Sequence, residues 1–168
     1  MRSALLVLVL SVPALAQDAS PALRRLLTAI DAPPTRAMLV EAGGRDTAMA
    51  LRALASNGQQ PPGLRRAALS ALGHFDEAAT RGTLAQVTRD TNPVLRKAAV
   101  ATLGFLTGAA TDTALLQALA DEAPLVRRAA IVAVSRSAER PARDALERRW
   151  AVEPDAETRA LLAQALGR

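Results

Sequence analysis

The chain has 168 residues, half of them hydrophobic and 22% charged, with 2% aromatic residues, a single His, no Cys and no Tyr. That is the size of one domain, too apolar for a disordered chain, and without Cys it is not a disulfide-stapled mini-protein. Its 21 basic and 16 acidic side chains give a net charge of +5. The pI of about 11.3 overstates that balance, because twenty of the basic residues are Arg and little else titrates above neutral pH. The same alphabet limits catalysis: His74 and Lys97 are the only basic side chains besides Arg, so most nucleophile–base pairings are excluded.

Met1 to Ala16 carries Arg2, an apolar run from Ala4 to Val12, Pro13, and then Ala14-Leu15-Ala16 before Gln17 and Asp18. A basic start, a short apolar stretch and small residues three apart are the pattern of a secretory leader. Cleavage is expected after Ala16, leaving 17–168 as the mature domain with a net charge of +4 and a periplasmic or secreted address. The apolar run is too short to span a bilayer, and no other stretch reads as a membrane span.

Comparison of the chain with itself reveals a repeat. The run Pro-Gly-Leu-Arg-Arg-Ala-Ala-Leu-Ser-Ala-Leu-Gly from Pro62 to Gly73 is matched from Pro93 to Gly104 and again from Pro124 to Val134. Weaker copies begin at Pro33 and Ala156, so the motif Arg falls at 36, 65, 96, 127 and 159. Copies spaced by about 31 residues are the mark of a stacked repeat protein, in which atypical terminal copies act as caps.

Each period divides into two helices. Ser20-Pro21 and Asn92-Pro93 supply a capping side chain followed by Pro at the first helical position, while Gly73, Gly104 and Gly167 are expected to end helices in the left-handed conformation. The helices preceding each motif are expected over Asp76 to Thr88, Thr111 to Ala120 and Pro141 to Ala151. With 39 Ala residues, close helix packing is expected at Ala67-Ala68, Ala98-Ala99 and Ala129-Ala130. Leu69, Leu72, Val100, Leu103, Ile131 and Val134 are the expected core.

The Leu-Arg-Arg-Ala-Ala, Leu-Arg-Lys-Ala-Ala and Val-Arg-Arg-Ala-Ala runs, with Asp90 and Asp121 in the turns, resemble the short HEAT-like repeats, including the class found in phycobilin lyase subunits. The resemblance extends over nearly all of 20–168. It implies an all-α fold, an α-solenoid of about five antiparallel helix pairs whose second helices line the concave surface. It also implies a structural role for Arg36, Arg65, Arg96, Arg127 and Arg159, each reaching an acidic turn residue between neighbouring units. Asp90, Asp121 and Glu153 stand six residues before the last three, whereas Gln59 and Ile30 hold that offset before Arg65 and Arg36, so the ladder is expected to weaken toward the N-terminus.

The second basic position occurs only in the central copies, as Arg66, Lys97 and Arg128, followed one helical turn later by Ser70, Ala101 and Val132. These three cations are expected to face solvent as a row across the concave face, suited to an acidic protein partner. His74 lacks a second His, a Cys or a His-Glu dyad to complete a familiar metal site. No catalytic, cofactor-binding or metal-binding residue is therefore assigned. One Trp and two Phe supply little for base stacking, so nucleic acid is not an expected partner, and Trp150 is expected to pack in the core or at its edge.

The expected function is that of an exported, non-enzymatic scaffold or adaptor that binds a protein partner on its concave face. One alternative is a lyase-like or other enzyme-associated subunit that holds a cofactor or a substrate protein. Another is a self-assembling envelope protein, suggested by Leu161, Leu162 and Leu166 in the last helix.

Overall fold

The computed structural model describes residues 19–29, 33–106 and 112–168. The leader expected at 1–16 lies outside these residues. The described chain forms ten α-helices: α1 (Pro21–Thr28), α2 (Arg36–Gly43), α3 (Thr47–Ser56), α4 (Pro62–Ala71), α5 (Ala78–Val87), α6 (Pro93–Phe105), α7 (Thr113–Ala118), α8 (Pro124–Val134), α9 (Arg140–Val152) and α10 (Ala156–Leu166), with a 3-10 turn at Leu72–His74. This is an all-α solenoid of antiparallel helix pairs. The helices expected over 76–88, 111–120 and 141–151 are α5, α7 and α9, each within a few residues of its expected bounds; Thr111 lies outside the described residues.

Helix starts follow the capping chemistry of the sequence. Ser20 Oγ accepts from the Leu23 amide at 3.1 Å and Asn92 Oδ1 from the Val94 amide at 2.9 Å, while Pro21, Pro62, Pro93 and Pro124 occupy first-turn positions where no amide donor is needed. The helix ends depart from expectation. Gly167 adopts the left-handed cap, with φ 72°, but Gly73 and Gly104 do not; the other positive-φ glycine among the described residues is Gly44, between α2 and α3. Gly73 continues into the 3-10 turn, and Gly104 is buried inside α6.

Gly104 serves packing instead. A Cβ built on it would overlap the Cβ of Ala133 on α8 and come within 3.1 Å of the Ala133 Cα. The missing side chain lets α6 and α8 approach, and this is the most extensive helix–helix contact among the described residues. Leu69, Leu72, Val100, Leu103, Ile131 and Val134 are fully buried in the core, as are Ala68, Ala99 and Ala130. Each large aliphatic side chain contributes roughly 1.5–3 kcal/mol on burial. Small residues set the helix spacing, and branched ones fill the space left.

Successive second helices α4, α6, α8 and α10 pack on one another, whereas α5 makes little contact with α7 and α7 little with α9. First helices α3 and α5 do pack on one another, so the two layers differ from α5 onward. The first pair breaks the pattern. Here α1 packs on α4 and α2 on α3, so the helix carrying the Arg36 copy of the motif stands in the layer of first helices. At the other end, Leu162 and Leu166 are buried and Leu161 is half-buried, so these residues close the core and do not form an exposed apolar end.

Candidate functional site: the second-helix face and its arginine ladder

Three of the five motif arginines form a ladder through the interior. Arg65 donates from Nη2 to Asp90 Oδ2 at 2.6 Å and from Nε to the Ala55 carbonyl at 3.0 Å. Arg96 grips both carboxylate oxygens of Asp121, at 2.8 and 2.9 Å, and reaches Glu122 Oε1 at 3.0 Å. Arg127 grips both oxygens of Glu153, at 2.9 and 2.6 Å. The acid lies 25 or 26 residues after its Arg, in the turn of the following repeat.

The turn six residues before each Arg plays a different part from the one expected. Arg96 Nη1 donates to the carbonyls of Asp90 and Thr91 at 3.0 and 3.2 Å, and Arg127 Nη1 to those of Asp121 and Glu122 at 2.9 and 3.0 Å. Each of these guanidiniums joins two successive turns, its own through backbone and the next through a carboxylate. The planar fork of Arg suits this; the single ammonium of Lys does not. The acids also hold their own turns, since Asp90, Asp121 and Glu153 accept from the amides of Asn92, Ala123 and Asp155 at 2.8, 2.8 and 3.0 Å.

Two motif arginines fall outside the ladder. Arg36 is exposed, with its guanidinium carbon 5.4 Å from the centre of the Phe75 ring, because the reversed first pair carries it away from the turns. Arg159 is exposed and donates to the Glu153 carbonyl in its own turn. The expected weakening shows at Arg65, which bonds one oxygen of its forward acid Asp90 and the Ala55 carbonyl, where Arg96 and Arg127 each hold two oxygens of one carboxylate and two carbonyls of their own turn.

Burial would raise the Glu153 carboxyl pKa, but donation from Arg127, Arg149 and the Asp155 amide overrides this and lowers it to about 2. Asp90 is likewise held below the ordinary carboxylate range, with burial opposed by the Asn92 amide and Arg65. Arg149 adds a second guanidinium to Glu153, Nε to Oε2 2.7 Å. Buried charges this well matched hold a turn in one geometry.

The three cations of the expected surface row have different fates. Arg66 and Lys97 are exposed on α4 and α6, and Arg128 on α8 is half-buried. Lys97 and Arg128 border one open groove of about 340 Å³, floored by Ala101, Ala129 and Val132. Arg66 is not brought into that groove. Arg128 Nη1 is engaged by Asp155 Oδ1 at 3.3 Å and Glu157 Oε2 at 3.0 Å, at the start of α10. The groove gains a cation that the repeat comparison passed over, Arg136. Its signal was present as the spacing Arg128, Val132, Arg136, one face of a helix at intervals of four.

His74 is exposed at the end of the 3-10 turn, and among the described residues no group of three His, Asp or Glu side chains is placed to hold a metal ion. Trp150 is half-buried against the core, with the Arg168 guanidinium carbon 5.6 Å from its ring centre. No described helix is long and apolar enough to cross a membrane.

Residues 47–123, from α3 to the turn before α8, match the family model for HEAT repeats. That segment is built of HEAT repeats. The ladder runs on beyond the matched segment, through Arg127 and Glu153, and the helix pairs continue to α10. No curated protein matches the chain. HEAT repeats are generally protein-interaction scaffolds, and in this stack the ladder is interior while the groove beside Lys97 is open to solvent.

Proposed function

We propose that the protein is an exported, non-enzymatic scaffold that binds a protein partner on its second-helix face. The observation that carries this reading is the division of the basic residues on a HEAT-repeat stack. The ladder arginines are spent on the interior, whereas Arg66 and Lys97 stand exposed on successive second helices, Lys97 at the edge of a groove with an apolar floor. Export rests on the leader pattern of Met1 to Ala16, and the absence of a catalytic role rests on an alphabet with one His, no Cys and no Tyr.

The mature protein is used as bait on an envelope extract, beside a variant carrying Arg66→Glu, Lys97→Glu and Arg128→Glu and a variant with Arg45→Glu in an exposed turn. A partner retained by the Arg45 variant and lost from the triple variant, with unchanged helical circular dichroism, supports the reading. Equal capture by all three counts against this face. Intact mass of the protein from cell fractions tests the address: a mature chain starting at Gln17 is expected, and a full-length chain retained in the cytoplasm would refute export.

A further inference from the structure

The groove between α6 and α8 has a cation at each end. Lys97 lies in the first turns of α6, whereas Arg136, just beyond α8, donates from Nη1 to the carbonyl of Gly104 at 3.3 Å. Lys97 and Gly104 are seven residues apart on one helix, about 10 Å along its axis. Between them lie Ala101, Ala129 and Val132, and Val132 is 45% exposed although it is a large aliphatic residue. Arg128, on the rim, already has two carboxylates. Lys97 and Arg136 form no ion pair among the described residues, so the field in the groove comes chiefly from them.

We propose that this groove takes a short acidic peptide segment, which lays one apolar side chain on the Ala101–Val132 floor and presents one carboxylate to Lys97 and another to Arg136. The proposal rests on the second-helix face being the protein-binding surface, and narrows that reading to a partner chemistry. The space of about 340 Å³ suits side chains from an extended strand better than a second helix, whose diameter is about 10 Å. A polyproline II segment repeats every three residues and about 9 Å, so acids at i and i+3 meet the two cations on one side. An apolar residue between them supplies the contact that Val132 lacks.

The probe is a fluorescein-labelled nine-residue peptide with two glutamates three positions apart enclosing a leucine, otherwise Gly and Ser, read by fluorescence anisotropy against the mature protein. Binding is expected to weaken at least tenfold with Lys97→Glu plus Arg136→Glu and at least fivefold when the leucine is replaced by serine. Raising the salt from about 50 to 300 mM should weaken it further, since screening acts on exposed charges. The exposed position Val132→Asp should cause the same loss with both cations intact, which guards against misfolding of the double variant. Arg45→Glu should leave affinity unchanged. Undiminished binding to the double variant, no binding by the wild type up to millimolar protein, or equal displacement by a simple alkanoate such as decanoate would each overturn the proposal. If the peptide fails while the envelope partner is still lost from the triple variant, the binding face stands and the acidic segment falls; if both fail, so does the face.

Discussion

Arg127 on α8 holds both carboxylate oxygens of Glu153, at 2.9 and 2.6 Å, although the two residues stand 26 apart in sequence and neither side chain is more than 5% exposed. Glu153 is the one fully buried acid among the described residues. The last helix pair is thereby tied to the preceding repeat by a charged contact inside the stack. Glu153→Gln leaves Arg127 and Arg149 facing a neutral amide and should cost about 3–5 kcal/mol of stability, the usual penalty for half of a buried pair. Urea unfolding measures it, and a loss below about 0.5 kcal/mol would show that the contact holds nothing.

The same carboxyl sets an acid limit. Its folded pKa of about 2 lies below the ordinary value of 4.5, so its contribution to stability is complete above that ordinary value and is lost as pH falls toward about 2. Stability of the wild type should therefore decline across this interval. In Glu153→Gln the decline should be shallower, with the remainder from Asp90 and other acids held low. Thermal melts at half-unit pH steps test this, and identical slopes for the two proteins would remove Glu153 as the source.

Gly104→Ala should destabilise by about 1–3 kcal/mol, the range for overpacking a close contact, because the new methyl would overlap Ala133. Adding Ala133→Gly should recover part of the loss. At the matching motif position, Gly73→Ala meets nothing nearer than Thr102 Cγ2 at 3.5 Å, an ordinary contact, and should change stability by less than about 1 kcal/mol. Two glycines at one place in the motif thus differ in cost, and equal melting temperatures for the two variants would contradict the packing account.

Arg96→Ala and Arg36→Ala should also separate. Arg96 is buried and holds Asp121 with both ends of its fork, so its removal strands a carboxylate and should cost about 3 kcal/mol or more. Arg36 is exposed over Phe75, a contact worth about 1 kcal/mol or less at the surface. Chemical denaturation of both variants checks the ranking, and a reversed order would place Arg36 in the ladder after all.

Repeat length, helix pairing, the aliphatic core and the existence of motif arginines inside the stack were all legible in the sequence. They are local or periodic properties: Pro and Ser mark helix starts, and Leu69, Val100 and Ile131 recur at one helical position. What a repeat comparison cannot supply is which copy faces which. The acid for Arg65 is Asp90 in the next turn, and six residues upstream of an Arg the donor finds backbone instead, because stacking brings consecutive turns side by side. Gly104 reads as a helix terminator until the approach of Ala133 gives it a packing role, and Arg36 belongs to the motif yet leaves the ladder because α1 and α2 exchange layers. Arg128 and Lys97 look equivalent along the chain; only the start of α10 neutralises the first while the second stays exposed. The sequence by itself determined the unit and its interior chemistry, since these depend on residue type and period. The tertiary structure decided which charges remain for a partner, since that depends on what the neighbouring repeat has already taken.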